Sequence, residues 1–134
     1  MKRLIRTAAA VLMLATAATA QTPSAGELIA DAVHVLPPDL RAGATVVTYD
    51  AATGARKVLR PGTNFMECQP TMADGFTRCY HKSLGPRRDL EAKLRAEKKT
   101  DEQIAAAVAA AAKAGTLPPS ATAMMACARS GRLS

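Results

Sequence analysis

All four aromatic side chains of this chain, Tyr49, Phe65, Phe76 and Tyr80, lie between residues 49 and 80, and there is no Trp. Aromatic side chains dominate the energetics of a core because each buries a large area. The large apolar side chains that anchor a core are therefore concentrated in the middle of the chain. The flanks draw their apolar content mainly from Ala, Leu, Val and Met, which suits helices that cover such a core. Two of the three cysteines, Cys68 and Cys79, fall in the same window.

Within the window the pattern is that of strands. Thr45 to Tyr49 is β-branched and aromatic and predicts a strand. Asp50-Ala51-Ala52-Thr53-Gly54 is a turn cluster, with Gly54 able to take a positive φ. Arg56 to Arg60 reads as the return strand of a β-hairpin. Pro61-Gly62 breaks it and suits a type II turn. Phe65 to Gln69 is a third strand, stopped by Pro70. Met72-Ala73-Asp74-Gly75 turns the chain again, and Thr77 to His81 is a fourth strand. Read in order, these segments predict a small antiparallel β-meander.

Helices flank it. Ser24 and Glu27 have capping-box spacing, and Leu28, Ile29, Ala32, Val33 and Leu36 recur on one helical face before Pro37-Pro38. His34 sits beside that stripe, at the surface. A short helical turn is expected at residues 39–42. After the strands, helices are expected over 86–98 and 101–114. The first carries Leu90 and Leu94 on one face, with Asp89–Lys93 and Glu91–Arg95 as i,i+4 ion pairs. The second is opened by a Thr100–Gln103 capping box, carries Ile104, Ala107, Val108 and Ala111 as one stripe, and ends at Gly115. Residues 123–128 read as a last strand or a short helix, with strand preferred. The fold class expected is α+β: a leading helix, the meander, and a C-terminal helical hairpin packed on it.

The first twenty residues, MKRLIRTAAAVLMLATAATA, have the anatomy of a secretory signal. Lys2, Arg3 and Arg6 precede an apolar run, and Ala18-Thr19-Ala20 offers small residues for cleavage before Gln21. The uncharged stretch from Thr7 to Ala20 is short against the roughly 20 helical residues that span a bilayer. Residue 21 is Gln rather than Cys, so no lipoprotein anchor is indicated. The expectation is a signal peptide at 1–20 and one domain at 21–134, periplasmic or secreted, with no transmembrane segment after cleavage. The signal holds three of the eighteen basic residues and none of the eleven acidic ones, which leaves residues 21–134 at +4. That charge is ordinary for a domain of this length and does not point to nucleic acid.

Three cysteines in an exported chain imply that two pair. Cys68 and Cys79 lie on strands expected to be neighbours, across a loop with Pro70 and Gly75, so a disulfide between them is the reading adopted. On the chain-entropy argument it contributes about 3 kcal/mol. Cys127 is then left as a free thiol, with a buried hydrophobic role or an intermolecular bridge both open. The alternative uses the same neighbourhood for a metal. Met66, Cys68, Cys79 and His81 offer two thiols, a thioether and an imidazole, a set that suits Cu(I) or, with a fourth ligand, zinc. Alternation places His81 on the Cys79 face. No C-x-x-C, H-E-x-x-H, G-x-S-x-G, Walker loop or G-x-G-x-x-G is present, and Glu67 is flanked by apolar residues with no acidic neighbour. No catalytic residue and no cofactor are expected. The basic residues Arg87, Arg88, Lys93, Arg95, Lys98 and Lys99 read as a solvated helix face that could meet anionic lipid or a cell-wall polymer.

At Leu59-Arg60-Pro61-Gly62-Thr63-Asn64, with Cys68, Pro70 and Cys79 following, the chain resembles a group of small exported bacterial proteins. They share an LR-x-GTN turn, a Cys-x-Pro and a second cysteine. That group has Gly after the Asn, where this chain has Phe65. The resemblance covers roughly residues 40–80, implies an exported hairpin protein, and carries no function of its own. The function expected is thus an exported, non-enzymatic protein, binding or structural, whose partner is an envelope protein or polymer. A periplasmic metal- or redox-handling protein built on Met66, Cys68, Cys79 and His81 is the alternative.

Overall fold

The computed structural model describes residues 20–118 and the backbone of 126–129. The signal segment, apart from Ala20, lies outside the described residues. Helix α1 (Ala25–Val33) starts where the capping box said it would. Ser24 Oγ accepts the Glu27 N–H at 3.3 Å, and the Glu27 carboxylate accepts the Ser24 N–H at 2.7 Å. A four-residue helix α2 (Pro38–Arg41) follows, and its Arg41 guanidinium donates back to the Leu36 and His34 carbonyls at the end of α1. Strands β1 (Thr45–Tyr49), β2 (Arg56–Arg60), β3 (Met66–Gln69) and β4 (Phe76–His81) come next. A 3₁₀ turn at Lys82–Leu84 leads into α3 (Gly85–Ala96), then α4 (Asp101–Lys113). The last element is β5 (Ala126–Arg129), so the tail is strand, as preferred from the sequence. The α+β class and the order of helix, sheet and helices stand as expected. No helix among the described residues is long and apolar enough to cross a membrane.

The strand order departs from a meander. The sheet runs β2-β1-β3-β4-β5, with β3 parallel to β1 and every other pair antiparallel. The cause is the stretch between β2 and β3. Instead of turning back on β2, it crosses the start of β1. The Thr63 and Asn64 N–H groups both donate to the Gly43 carbonyl, at 2.8 and 2.9 Å. The Gly62 N–H donates to Thr45 Oγ1 at 3.1 Å, and Asn64 Nδ2 to the Leu40 carbonyl at 2.9 Å. Asn64 Oδ1 in turn accepts the Met66 N–H at 2.9 Å and launches β3. Gly62 is therefore not the positive-φ residue of a type II turn; among the described glycines that conformation belongs to Gly54, Gly75 and Gly115. Gly62 is needed because two backbones cross there. A Cβ on it would stand 2.5 Å from the Ala44 carbonyl carbon.

The two faces of the sheet differ in chemistry. On one, Val46, Met66, Cys68 and Cys79 pack with Ala44 against Ala32, Val33 and Leu36 of α1 and the turn after it. Burial of this apolar stripe is the main source of stability on that side. On the other face β1, β2, β3 and β4 present Val47, Tyr49, Arg56, Glu67, Gln69 and Tyr80, and α3 meets Tyr49, Arg56 and Tyr80 through Asp89 and Arg88. Helix α4 packs on α3, with Ile104 and Val108 buried. The side of α3 that is most deeply covered carries Gly85 and Glu91, while Leu90 and Leu94 are only half-buried. The Leu stripe read from the sequence is thus not the face that meets the sheet.

Candidate functional site

Cys68 and Cys79 stand directly opposite each other on β3 and β4 and form a disulfide, with Cα atoms 4.1 Å apart. The two half-cystines are at most 1 % exposed, under α1. Cys79 Sγ lies 3.4 Å from the Ala32 carbonyl oxygen; as a disulfide sulfur it has no proton to donate, so this is packing rather than a hydrogen bond. The bond consumes both thiolates of the metal-ligand set proposed from the sequence. Met66 and His81 remain opposite one another in the register. His81, however, is engaged elsewhere. Its ring stacks on Phe65 with centroids 5.7 Å apart, and Nδ1 accepts the Ser83 N–H and meets the Ser83 hydroxyl. Among the described residues no group of three or more His, Cys, Asp and Glu side chains could hold a metal ion. The side chain of Cys127 lies outside the described residues; its backbone pairs with Arg78.

The chemistry concentrates on the opposite face, beneath α3. Glu67 is 2 % exposed. Its carboxylate forms an ion pair with Arg56 and accepts the Tyr80 hydroxyl at 2.8 Å. Gln69 donates to the Tyr80 oxygen at 2.9 Å. Asp89 of α3 accepts from the Tyr49 hydroxyl at 2.7 Å and from Arg56 at 3.3 Å. The Arg88 guanidinium lies over the Tyr80 ring, 5.1 Å from its centroid. One turn on, Glu91 accepts from Arg87 at 2.9 Å and from Arg88 at 2.8 Å. A buried charge is tolerated only when paired and hydrogen-bonded, and this layer meets that condition by drawing on four strands and one helix.

The electrostatics follow from burial and partners. Burial, then the neighbouring Glu67 charge, pushes the Tyr80 hydroxyl well above its ordinary range. Burial and then Asp89 do the same to Tyr49. Burial works against the Arg56 charge, but Glu67 outweighs it and holds the guanidinium protonated. Burial alone would raise Glu91; Arg87 and Arg88 reverse that and hold it below the usual carboxylate range.

This layer opens into a groove of about 630 Å³. Its floor is Tyr49, Gln69 and Arg78 of the sheet, one wall is α3 from Arg88 to Ala96, and the ends are Asp50 and the Met72–Asp74 turn. Asp74 pairs with Arg78. Asp101, at the start of α4, closes the rim.

The sequence reading missed this site. It treated Arg87 and Arg88 as part of a solvated basic face and paired Asp89 with Lys93 and Glu91 with Arg95. In the structure Asp89 turns to Tyr49 and Arg56, and Glu91 to Arg87 and Arg88, because α3 lies with that side on the sheet. The one available signal was alternation: Glu67 and Gln69 share a strand face with each other and not with Cys68. Cys68 and Cys79 are brought together as the disulfide expected from the sequence. Comparison with family models, with curated proteins and with solved structures gave no match.

Proposed function

We propose that this protein is exported and works outside the cytoplasm as a non-catalytic binding protein. The observation that carries the reading is the Cys68–Cys79 disulfide, buried in the core between α1 and the sheet. Structural disulfides persist in oxidising compartments and are rare in the cytosol. The signal-like segment at 1–20 and the resemblance of residues 40–80 to small exported proteins support the same location. Binding is favoured over a purely structural role by the groove beside α3, where polar side chains of the sheet and of α3 meet in one lining. The hydroxyls of Tyr49 and Tyr80 are committed to carboxylates, and Glu67 is locked to Arg56, so the layer positions rather than reacts. A metal- or redox-handling role on Met66, Cys68, Cys79 and His81 would first require the disulfide to be reduced.

Thiol titration in denaturant, on protein recovered from the periplasm or medium, tests this together with intact mass. The expected result is one reactive thiol, from Cys127, and a chain beginning at Gln21. Three reactive thiols, or a mass that retains residues 1–20, would overturn it.

A further inference from the structure

Gln69 is 6 % exposed and lines the floor of the groove. Its orientation is dictated by its neighbours. The Tyr80 hydroxyl has a single proton, and it goes to the Glu67 carboxylate, which can only accept. The Tyr80 oxygen is then left to accept, so the amide nitrogen of Gln69 must be the group facing it. The Gln69 carbonyl oxygen points the other way. Among the described residues no donor reaches it, and it is not sealed off from solvent. A nearly buried side chain thus presents a fixed acceptor to the groove.

The rim supplies two further groups. Arg95 and Asp101 both line the groove, and among the described residues neither has a salt bridge. Asp50, at the groove's end, is likewise outside any salt bridge among the described residues, its Oδ1 accepting only from Ala52 and Thr53, so the lining offers one cation and more than one anion to a ligand that carries both charges. The apolar part of the lining includes Ala92 and Ala96 on the α3 wall and the half-exposed Met72 at one end. It accommodates small side chains.

We propose that the groove binds a short peptide with free termini and small side chains. The peptide's N–H and ammonium groups donate to the Gln69 carbonyl and to Asp101, and its carboxylate meets Arg95. This rests on the reading of the protein as a binding module and names its ligand class.

The test is an NMR titration of the oxidised, isotope-labelled protein with trialanine, and with trialanine blocked by N-acetyl and C-amide groups. Saturable shifts are expected at the Gln69 side-chain amide and at the Ala92 and Ala96 backbone amides, with a Kd of roughly 1 mM or tighter. The blocked peptide, and the Arg95→Ala variant with free trialanine, should each bind roughly tenfold more weakly. Arg95 is exposed, so that variant keeps the fold. No saturable shift, equal affinity for the blocked peptide, or unchanged affinity in Arg95→Ala would overturn the site. A protein with one free thiol that ignores trialanine refutes the peptide site alone. Three free thiols with trialanine bound at Gln69 refutes the export reading alone.

Discussion

Arg56 of β2 and Glu67 of β3 form an ion pair although their strands are not neighbours; β1 lies between them. The arginine side chain reaches across β1, past Tyr49, to a carboxylate whose side chain is 3 % exposed. Breaking such a pair leaves a buried charge without its partner, whereas replacing both members with apolar groups does not. Arg56→Ala should lower the unfolding free energy by about 3 kcal/mol. The double variant Arg56→Met/Glu67→Leu removes the uncompensated charge but leaves the Tyr80 hydroxyl without its acceptor, so it should recover part of that loss. Urea denaturation of the single and double variants measures both. Equal destabilisation in both would mean that losing the acceptor of the Tyr80 hydroxyl costs as much as the uncompensated Glu67 charge.

The crossover at Gly62 makes a second expectation. Gly62→Ala places a methyl group into the backbone of Ala44 and Thr45. The strands must then separate, and a loss of at least about 2 kcal/mol follows from overpacking. Gly26→Ala, on α1 with open space around its Cα, should be neutral or slightly stabilising by comparison. Thermal melts of the two variants distinguish a steric role for Gly62 from a conformational one.

The two tyrosines of the chain, Tyr49 and Tyr80, both have their hydroxyls raised above the ordinary value of 10.0, first by burial and then by Asp89 or Glu67. A raised folded-state value means that the folded protein keeps the proton where the unfolded chain loses it. The contribution to stability is fully present below 10.0 and is lost as pH rises above it. Near-ultraviolet titration should therefore show no tyrosinate until the chain unfolds in alkali. Circular dichroism followed in parallel should change at the same pH. A tyrosinate signal that precedes unfolding would place one of these hydroxyls in contact with solvent.

Glu91 gives the acid side of the same argument. Arg87 and Arg88, against the opposing effect of burial, hold it below its ordinary 4.5. Its contribution is present above 4.5 and is lost as pH falls through the lower folded-state value. Glu91→Gln should flatten the fall of the urea midpoint on acidification below 4.5. An unchanged slope would show that another carboxylate governs the acid limb.

Lys98 ends α3 in the left-handed region at φ 60°, and the Lys99 N–H bonds the Leu94 carbonyl behind it. This is the position where helices favour glycine, and a side chain there carries a penalty of about 1 kcal/mol. Lys98→Gly should raise the melting temperature by a few degrees, a shift on the order of 4–8 °C per kcal/mol for a small domain. A decrease would mean that the Lys98 side chain makes a contact worth more than the strain.

Local sequence was enough wherever one segment could satisfy its own backbone. The Ser24–Glu27 and Thr100–Gln103 boxes opened helices within a residue of their expected starts, Gly115 closed the second of them, and Asp50 to Gly54 made the first hairpin turn. Each depends on hydrogen bonds between residues a few positions apart. The Cys68–Cys79 pairing was legible for a related reason: β3 and β4 are joined by one short turn, so their register follows from it. The tertiary structure decided the rest. Nothing in Pro61-Gly62-Thr63-Asn64 by itself says that these groups will bond Gly43, Thr45 and Leu40 rather than turn back on β2. That choice makes β3 the parallel neighbour of β1 and brings Glu67 within reach of Arg56. The face that α3 lays on the sheet was decided in the same way. A helix with both a Leu stripe and an Arg–Glu stripe can be covered on either side. Asp89, Arg88 and Glu91 won because the sheet already offered Tyr49, Arg56 and Tyr80 to receive that side, and charges leave water only where such partners wait.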